Sequence, residues 1–133
     1  MQMIKCIGVM SGTSLDGVDL VEVEFGVGPE KYNFSIVNSS VREYNEEILA
    51  RLKASNTMSG EALSQLNVDY GKFLGTCINS FVREKKIEKE RILFVASHGY
   101  TVFHQPQNGY TLQIGCGQTM ASVIGIDVIS DFR

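Results

Sequence analysis

Two strand-like runs, Met3-Ile4-Lys5-Cys6-Ile7 and Leu20-Val21-Glu22-Val23-Glu24-Phe25, flank the stretch Gly8-Val9-Met10-Ser11-Gly12-Thr13-Ser14-Leu15-Asp16-Gly17-Val18-Asp19. Apolar runs on either side of a connection rich in glycine and hydroxyls predict a β-hairpin, with strands over about residues 3–10 and 17–26. An ordinary hairpin turn needs only about two to five residues. This connection is more elaborate, with hydroxyls from Ser11, Thr13 and Ser14 and uncovered backbone at Gly12 and Gly17. Glycine lets a phosphate approach the backbone, and clustered N–H groups favour an anion. The same residues also make a plain polar turn with Asp16-Gly17 setting its geometry, and on residue type alone both readings stand.

Beyond the hairpin, Gly26-Val27-Gly28-Pro29 predicts a turn, and residues 32–44 a third strand with Phe34, Ile36 and Val37 toward the core. Its Asn and Ser residues keep one side polar and put it near a sheet edge. In the second strand, Val18, Leu20 and Val21/Val23 read as a strand close to the sheet centre. Asn45 is a candidate N-cap for a helix burying Ile48, Leu49 and Leu52, which frays at Ser55-Asn56-Thr57. Ser59 caps a longer helix whose apolar positions, from Leu63 through Leu66, Tyr70 and Leu74 to Phe81, recur every three or four residues. Gly71 and Gly75 on that helix are expected to pack closely on the sheet. The charged run from Arg83 to Arg91 reads as a solvated helix end. Ile92-Leu93-Phe94-Val95-Ala96 is apolar on both faces, as in a buried parallel strand. A hairpin-like return, a helix over 118–124 after Gly115-Cys116-Gly117, and a strand over 126–130 complete an α/β order.

A length of 133 residues suits one domain. A net charge of −3 with mixed signs argues against a nucleic-acid or membrane-surface partner. Three separated cysteines, Cys6, Cys77 and Cys116, form no CxxC pair and speak for a reducing compartment. Nothing at the start has the layout of a signal peptide, and no apolar run reaches the roughly 20 residues of a membrane span. A cytoplasmic location is the expectation.

Ligands of open α/β sheets collect at the carboxyl ends of parallel strands. That gives weight to Ser97-His98-Gly99-Tyr100-Thr101-Val102-Phe103-His104-Gln105-Pro106, and to the helix start after Gly115-Cys116-Gly117. No GxxxxGK[ST] or GxSxG sequence is present, which removes a P-loop and an α/β-hydrolase elbow. His98 and His104 lack acidic or cysteine partners at zinc-site spacing. Cys116 sits where a helix N-terminus favours thiolate, but no base is assigned to it, and an inert thiol is the competing reading.

Four segments in order, Gly8 to Asp19, Ser97 to Pro106, Thr111-Leu112-Gln113-Ile114-Gly115 and Asp131-Phe132-Arg133, closely resemble the anhydro-N-acetylmuramic acid kinases. These belong to the sugar kinase, heat-shock ATPase and actin superfamily, whose two ribonuclease-H-like domains clasp ATP. The resemblance implies a ribonuclease-H-like (actin-like ATPase) domain with a mixed five-stranded sheet and helices over residues 1–133, the N-terminal domain of a normally two-domain enzyme, ending before the catalytic Asp. It implies an enzyme that hydrolytically opens 1,6-anhydro-N-acetylmuramic acid and phosphorylates O6 with ATP and Mg²⁺, giving N-acetylmuramic acid 6-phosphate in peptidoglycan recycling.

By the same resemblance Gly12, Thr13, Ser14, Leu15, Asp16, Gly17, Val18 and Asp19 would hold the ATP β- and γ-phosphates. Ser97, His98, Gly99, Thr101, His104, Gln113 and Gly115 would line the sugar pocket. Three positions depart from the pattern. Met10 stands where the superfamily usually has a metal-linked Asp, leaving any Mg²⁺ contact to Asp16 or Asp19, or with none from this loop. Cys116 stands where the family commonly has Asp. The family's catalytic Asp lies a few residues beyond Asp-Phe-Arg, so no catalytic residue is expected within these 133, and they are expected to be inactive alone. The rival expectation is a non-catalytic module that binds sugar or phosphate, or pairs as a homodimer through uncovered apolar surface.

Overall fold

β1 (Gln2–Met10) and β2 (Val18–Val27) pair antiparallel from Gln2 opposite Val27 to Met10 opposite Asp19. The predicted hairpin is therefore present in the computed structural model, which describes residues 1–12 and 14–133. β3 (Tyr32–Arg42) pairs antiparallel with β2. Two helices follow, α1 (Glu46–Ala54) and α2 (Gly60–Glu84), and then β4 (Ile92–Ser97), which lies parallel to β1. β5 (Tyr100–Gln105) and β6 (Tyr110–Ile114) form a separate two-stranded ribbon. α3 (Gly117–Ile124) leads to the short β7 (Val128–Ile129), parallel to β4. The main sheet is mixed and five-stranded, in the order β3-β2-β1-β4-β7, with β3 at an edge as its polar side suggested.

α1 and α2 begin where side chains satisfy their free amides. Asn45 Oδ1 accepts from the Ile48 N–H at 2.8 Å, and Ser59 Oγ accepts from the Ala62 N–H at 3.1 Å. Each such cap contributes about 1 kcal/mol. α1 passes into a tight 3₁₀ turn at Ser55–Thr57, the segment expected to fray. Leu66, Tyr70, Leu74, Ile78 and Phe81 of α2 are fully buried against Ile7, Val9, Val18, Leu20 and Val95 of the sheet. Each buried side chain of this size stabilises the fold by roughly 1.5–3 kcal/mol. No helix among the described residues is long and apolar enough to cross a membrane.

Two expectations about packing are corrected. Phe34, Ile36 and Val37 do not reach the core; Phe34 remains 68% exposed and Ile36 59%. They belong to β3, and Phe34 and Ile36 stand opposite Phe25 and Val23 on the sheet face that lies away from the core cluster. In β2, strict alternation from Val18 puts Leu20 and then Glu22 inward, and Val21 and Val23 face the other way. Glu22 is consequently buried, its carboxylate accepting from Asn38 Nδ2 at 2.7 Å with Lys5 Nζ at 3.7 Å. Gly71 and Gly75 face α3 instead of the sheet. A Cβ on Gly71 would lie 2.7 Å from the Cys116 carbonyl oxygen, and one on Gly75 would lie 2.7 Å from Val123 Cγ1.

Candidate functional site

Ser11, buried at the end of β1, donates its hydroxyl to the Gly99 carbonyl oxygen at 3.1 Å. This bond fixes the start of the Gly-rich connection against the turn after β4. Within the connection, the Leu15 N–H donates to the Gly12 carbonyl at 3.2 Å, and Ser14 Oγ donates to Asp16 Oδ1 at 3.0 Å. Leu15 has φ +55, a left-handed conformation that costs a non-glycine residue roughly 1–2 kcal/mol. Gly12 is open, its nearest neighbour in the Cβ direction being Ser14 Oγ at 3.7 Å. Gly17, with φ +151, has no room for a side chain because Val41 Cγ1 would lie 2.8 Å away. Asp16 and Asp19 are exposed, while the Val18 side chain is wholly in the core and leaves only its backbone for a ligand. Thr13 lies outside the described residues.

The turn after β4 and the turn after β6 face each other across a cleft of about 320 Å³. Ser97, His98, Gly99, Gln113 and Gly115 line it, together with Asn67, Cys116 and Asp131. Thr111 Oγ1 donates to Gln113 Oε1 at 3.0 Å, which orients the amide so that its Nε2 donates to the His98 carbonyl at 3.2 Å. Gly99 has φ +73, and a Cβ there would meet the Ile114 carbonyl oxygen at 2.5 Å, so only glycine lets the two turns come this close. The Ser97 hydroxyl is buried without a hydrogen-bond partner although Ser97 lines the cleft. An orphaned buried hydroxyl is costly unless a ligand or water meets it.

A second cleft of about 300 Å³ adjoins the first at His98, lined also by Met10, Ser11, Gly12, Thr101 and Arg133. Arg133 Nη1 donates to Thr101 Oγ1 at 2.7 Å, and the Phe132 ring stands edge-on to His98 with centroids 6.3 Å apart. The backbone thus brings the C-terminal Asp-Phe-Arg to the same end of the sheet as Ser97 and His98. His104 is elsewhere: it is exposed on β5 opposite Thr111 and lines neither cleft. The larger depression of about 570 Å³ along the first turns of α2, from Ser59 to Val68, is lined by that one helix and its cap and shares no lining residue with either cleft.

Asn67 was not singled out from sequence. Its Oδ1 accepts from the Gly115 N–H at 2.8 Å and its carbonyl oxygen from the Cys116 N–H at 3.0 Å, so α2 clamps the turn after β6. The signal was an amide side chain beside Leu66 and Tyr70, interrupting the apolar stripe of a core helix. Electrostatically, the Thr119 hydroxyl, then the amides of Thr119 and Gln118, hold the Cys116 thiol below its usual range. Burial pushes Cys77 up to about 11 and raises Cys6 as well.

Among the described residues no group of three or more His, Cys, Asp or Glu side chains could hold a metal ion by itself. Magnesium bound with nucleotide takes most of its ligands from phosphates and water, with one or two carboxylates. The exposed Asp16 carboxylate, in a connection with an open glycine, fits that donor set.

A family model described as anhydro-N-acetylmuramic acid kinase matches residues 4–133. A Shewanella oneidensis protein named anhydro-N-acetylmuramic acid kinase is 40% identical over 129 residues, covering 96% of this chain and 35% of that protein. A Shewanella baltica protein of the same name is 38% identical over the same length and shares. The chain therefore spans about a third of the length of these relatives.

Proposed function

The chain belongs to the anhydro-N-acetylmuramic acid kinase family, and from that premise we propose that it forms one wall of an ATP-dependent sugar kinase. The whole protein would open the 1,6-anhydro ring of anhydro-N-acetylmuramic acid hydrolytically and phosphorylate O6, serving peptidoglycan recycling in the cytoplasm. The observation that supports this most is the junction at His98. There the cleft bordered by Ser11 and Gly12 adjoins the cleft bordered by Ser97, Gln113 and Gly115. A nucleotide's terminal phosphates and a sugar hydroxyl must meet within a few ångströms, and two adjoining clefts at one sheet end give that arrangement.

In this reading the open backbone of Gly12 and the hydroxyl of Ser14 receive the β- and γ-phosphates, and the resemblance assigns Thr13 to the same group. Leu15, Gly17 and Val18 contribute backbone and shape, and Asp19 flanks the loop. Asp16 holds Mg²⁺, which when bound spreads the charge that develops on the transferring phosphoryl group. His98, Gln113 and the Ser97 hydroxyl take the sugar's hydroxyl and amide groups, and Thr101, which the resemblance also gives to the sugar, lies on the adjoining cleft beside Arg133. A site built of such partners rejects analogues that lack one, since the buried partner is then left unpaired. No side chain among these 133 is assigned as the base that activates water, because the resemblance puts that Asp beyond Arg133.

The test compares two polypeptides supplied with ATP, Mg²⁺ and 1,6-anhydro-N-acetylmuramic acid. These 133 residues alone should release no sugar phosphate, and a polypeptide extended to the relatives' full length should release N-acetylmuramic acid 6-phosphate. Turnover by the short chain, or none by the long one, contradicts the proposal. The apolar sheet face carrying Phe25, Phe34 and Ile36 favours a second reading, a module that pairs with another copy. Sedimentation of the short chain as a monomer at micromolar concentration would remove it.

A further inference from the structure

Cys116 differs from the other two cysteines in every respect that governs thiol chemistry. Cys6 and Cys77 are buried, whereas Cys116 is half-buried and lines the cleft between the turns after β4 and β6. It occupies the N-cap position of α3 with its backbone anchored at both sides. Its N–H donates to the Asn67 carbonyl at 3.0 Å, and its own carbonyl accepts from the Met120 N–H at 3.0 Å. The side chain makes no cap hydrogen bond of ordinary geometry. The sulfur faces the Thr119 hydroxyl and the Thr119 and Gln118 amides at the positive end of the helix, donors that favour a thiolate. The cleft beside it is polar and receptive: the Ser97 hydroxyl, 1% exposed and without a partner, lines the same space.

We propose that Cys116 is a modification site, a nucleophilic thiol that captures small polar soft electrophiles entering the cleft, and whose adduct then stands where the cleft's ligand would. The lowered thiol pKa, due first to the Thr119 hydroxyl and then to the Thr119 and Gln118 amides, agrees with this placement. With iodoacetamide the step is a displacement. The Cys116 thiol gives its proton to solvent, the sulfur forms a bond to the CH₂ carbon, and the carbon–iodine bond breaks with release of iodide. The role of the cleft as a sugar site rests on the function proposed above, but the reactivity of the thiol does not.

The experiment is timed alkylation of the folded 133-residue chain with iodoacetamide at neutral pH. Peptide mass spectrometry then gives a rate for each cysteine, and a denatured sample fixes the common upper limit. Cys116 should react at least about tenfold faster than Cys6 and Cys77 in the folded chain. The fast phase should vanish in Cys116→Ser, a substitution that keeps a good N-cap residue. Equal rates for the three cysteines, or a fast phase that survives in Cys116→Ser, overturn the proposal. Repeating the labelling with 1,6-anhydro-N-acetylmuramic acid present separates the two readings. Slowing at Cys116 alone supports both. Selective labelling that the sugar leaves unchanged supports the reactive thiol and counts against the sugar site.

Discussion

The Ser11 hydroxyl reaches the Gly99 carbonyl oxygen at 3.1 Å, joining the end of β1 to the turn after β4 across 88 positions of sequence. Ser11 lines one cleft and Gly99 the other, so this contact ties the two together beside His98. Replacing Ser11 by Ala leaves a buried carbonyl oxygen with one partner fewer. The expected cost is about 0.5–1.5 kcal/mol of unfolding free energy, read from the urea midpoint. A variant as stable as the parent would show that the loops hold each other by packing alone.

The two glycines of α2 should respond differently to alanine. At Gly71 the new methyl meets the backbone of Cys116, with the carbonyl oxygen at 2.7 Å and the nitrogen at 3.1 Å, and backbone cannot move aside cheaply. At Gly75 it meets the side chain of Val123, 38% exposed at the edge of α3. Alanine also gains up to about 1 kcal/mol of helix propensity. At Gly75 the methyl also lies 2.9 Å from Val123 Cβ, so both variants are expected to lose stability, about 1–3 kcal/mol net, with Gly71→Ala the more costly because it meets backbone. Equilibrium denaturation of both variants checks the order.

Cys116→Asp should stabilise the chain. Aspartate at an N-cap accepts from the free amides that begin α3, and a negative charge there suits the helix dipole. A gain of about 1 kcal/mol in unfolding free energy at neutral pH is expected. The gain should shrink in acid as the carboxylate takes up a proton, which a denaturation series across pH would record.

Arg51 Nη2 and Gln65 Nε2 both donate to the Asp69 carboxylate, each at 2.9 Å, and these bonds hold its pKa below the usual carboxylate value. A carboxyl group whose pKa is depressed on folding contributes stability above its unfolded pKa and loses it as pH falls through the folded one. Asp69→Asn should therefore cost a few tenths to about 1 kcal/mol at neutral pH, the pair being partly exposed. The difference from the parent should close as pH falls below the ordinary carboxylate range and Asp69 becomes protonated in both states. A difference independent of pH would assign the loss to packing.

The elements were legible in the sequence because their signals are local. Asn45 and Ser59 announce helix starts, period-3.6 spacing marks α2, and Ile92 to Ala96 reads as a buried parallel strand. What failed was the assignment of faces. Phe34 and Ile36 are apolar, but alternation does not say which side of a sheet has the helices, and these fell on the other one. Glu22 was masked by its apolar neighbours Val21 and Val23, although the period from Val18 and Leu20 points to it. Within the site, the motif residues Ser97, His98, Gly99, Gln113 and Gly115 were named in advance and come together on one cleft. Asn67 was missed because its contact to Gly115 spans 48 positions. His104 shares a motif with His98 but, on a strand that turns away, faces solvent.

The central claim is that one end of the sheet offers phosphate and sugar sites side by side. Backbone amide NMR of the ¹⁵N-labelled chain tests it most directly, by titration first with MgATP and then with 1,6-anhydro-N-acetylmuramic acid. The account predicts that nucleotide moves the amides of Gly12, Ser14 and Asp16, and that the sugar moves those of His98, Gly99, Gly115 and Cys116. Shifts confined to the α2 flank between Ser59 and Val68, or to the apolar face around Phe34, would contradict it.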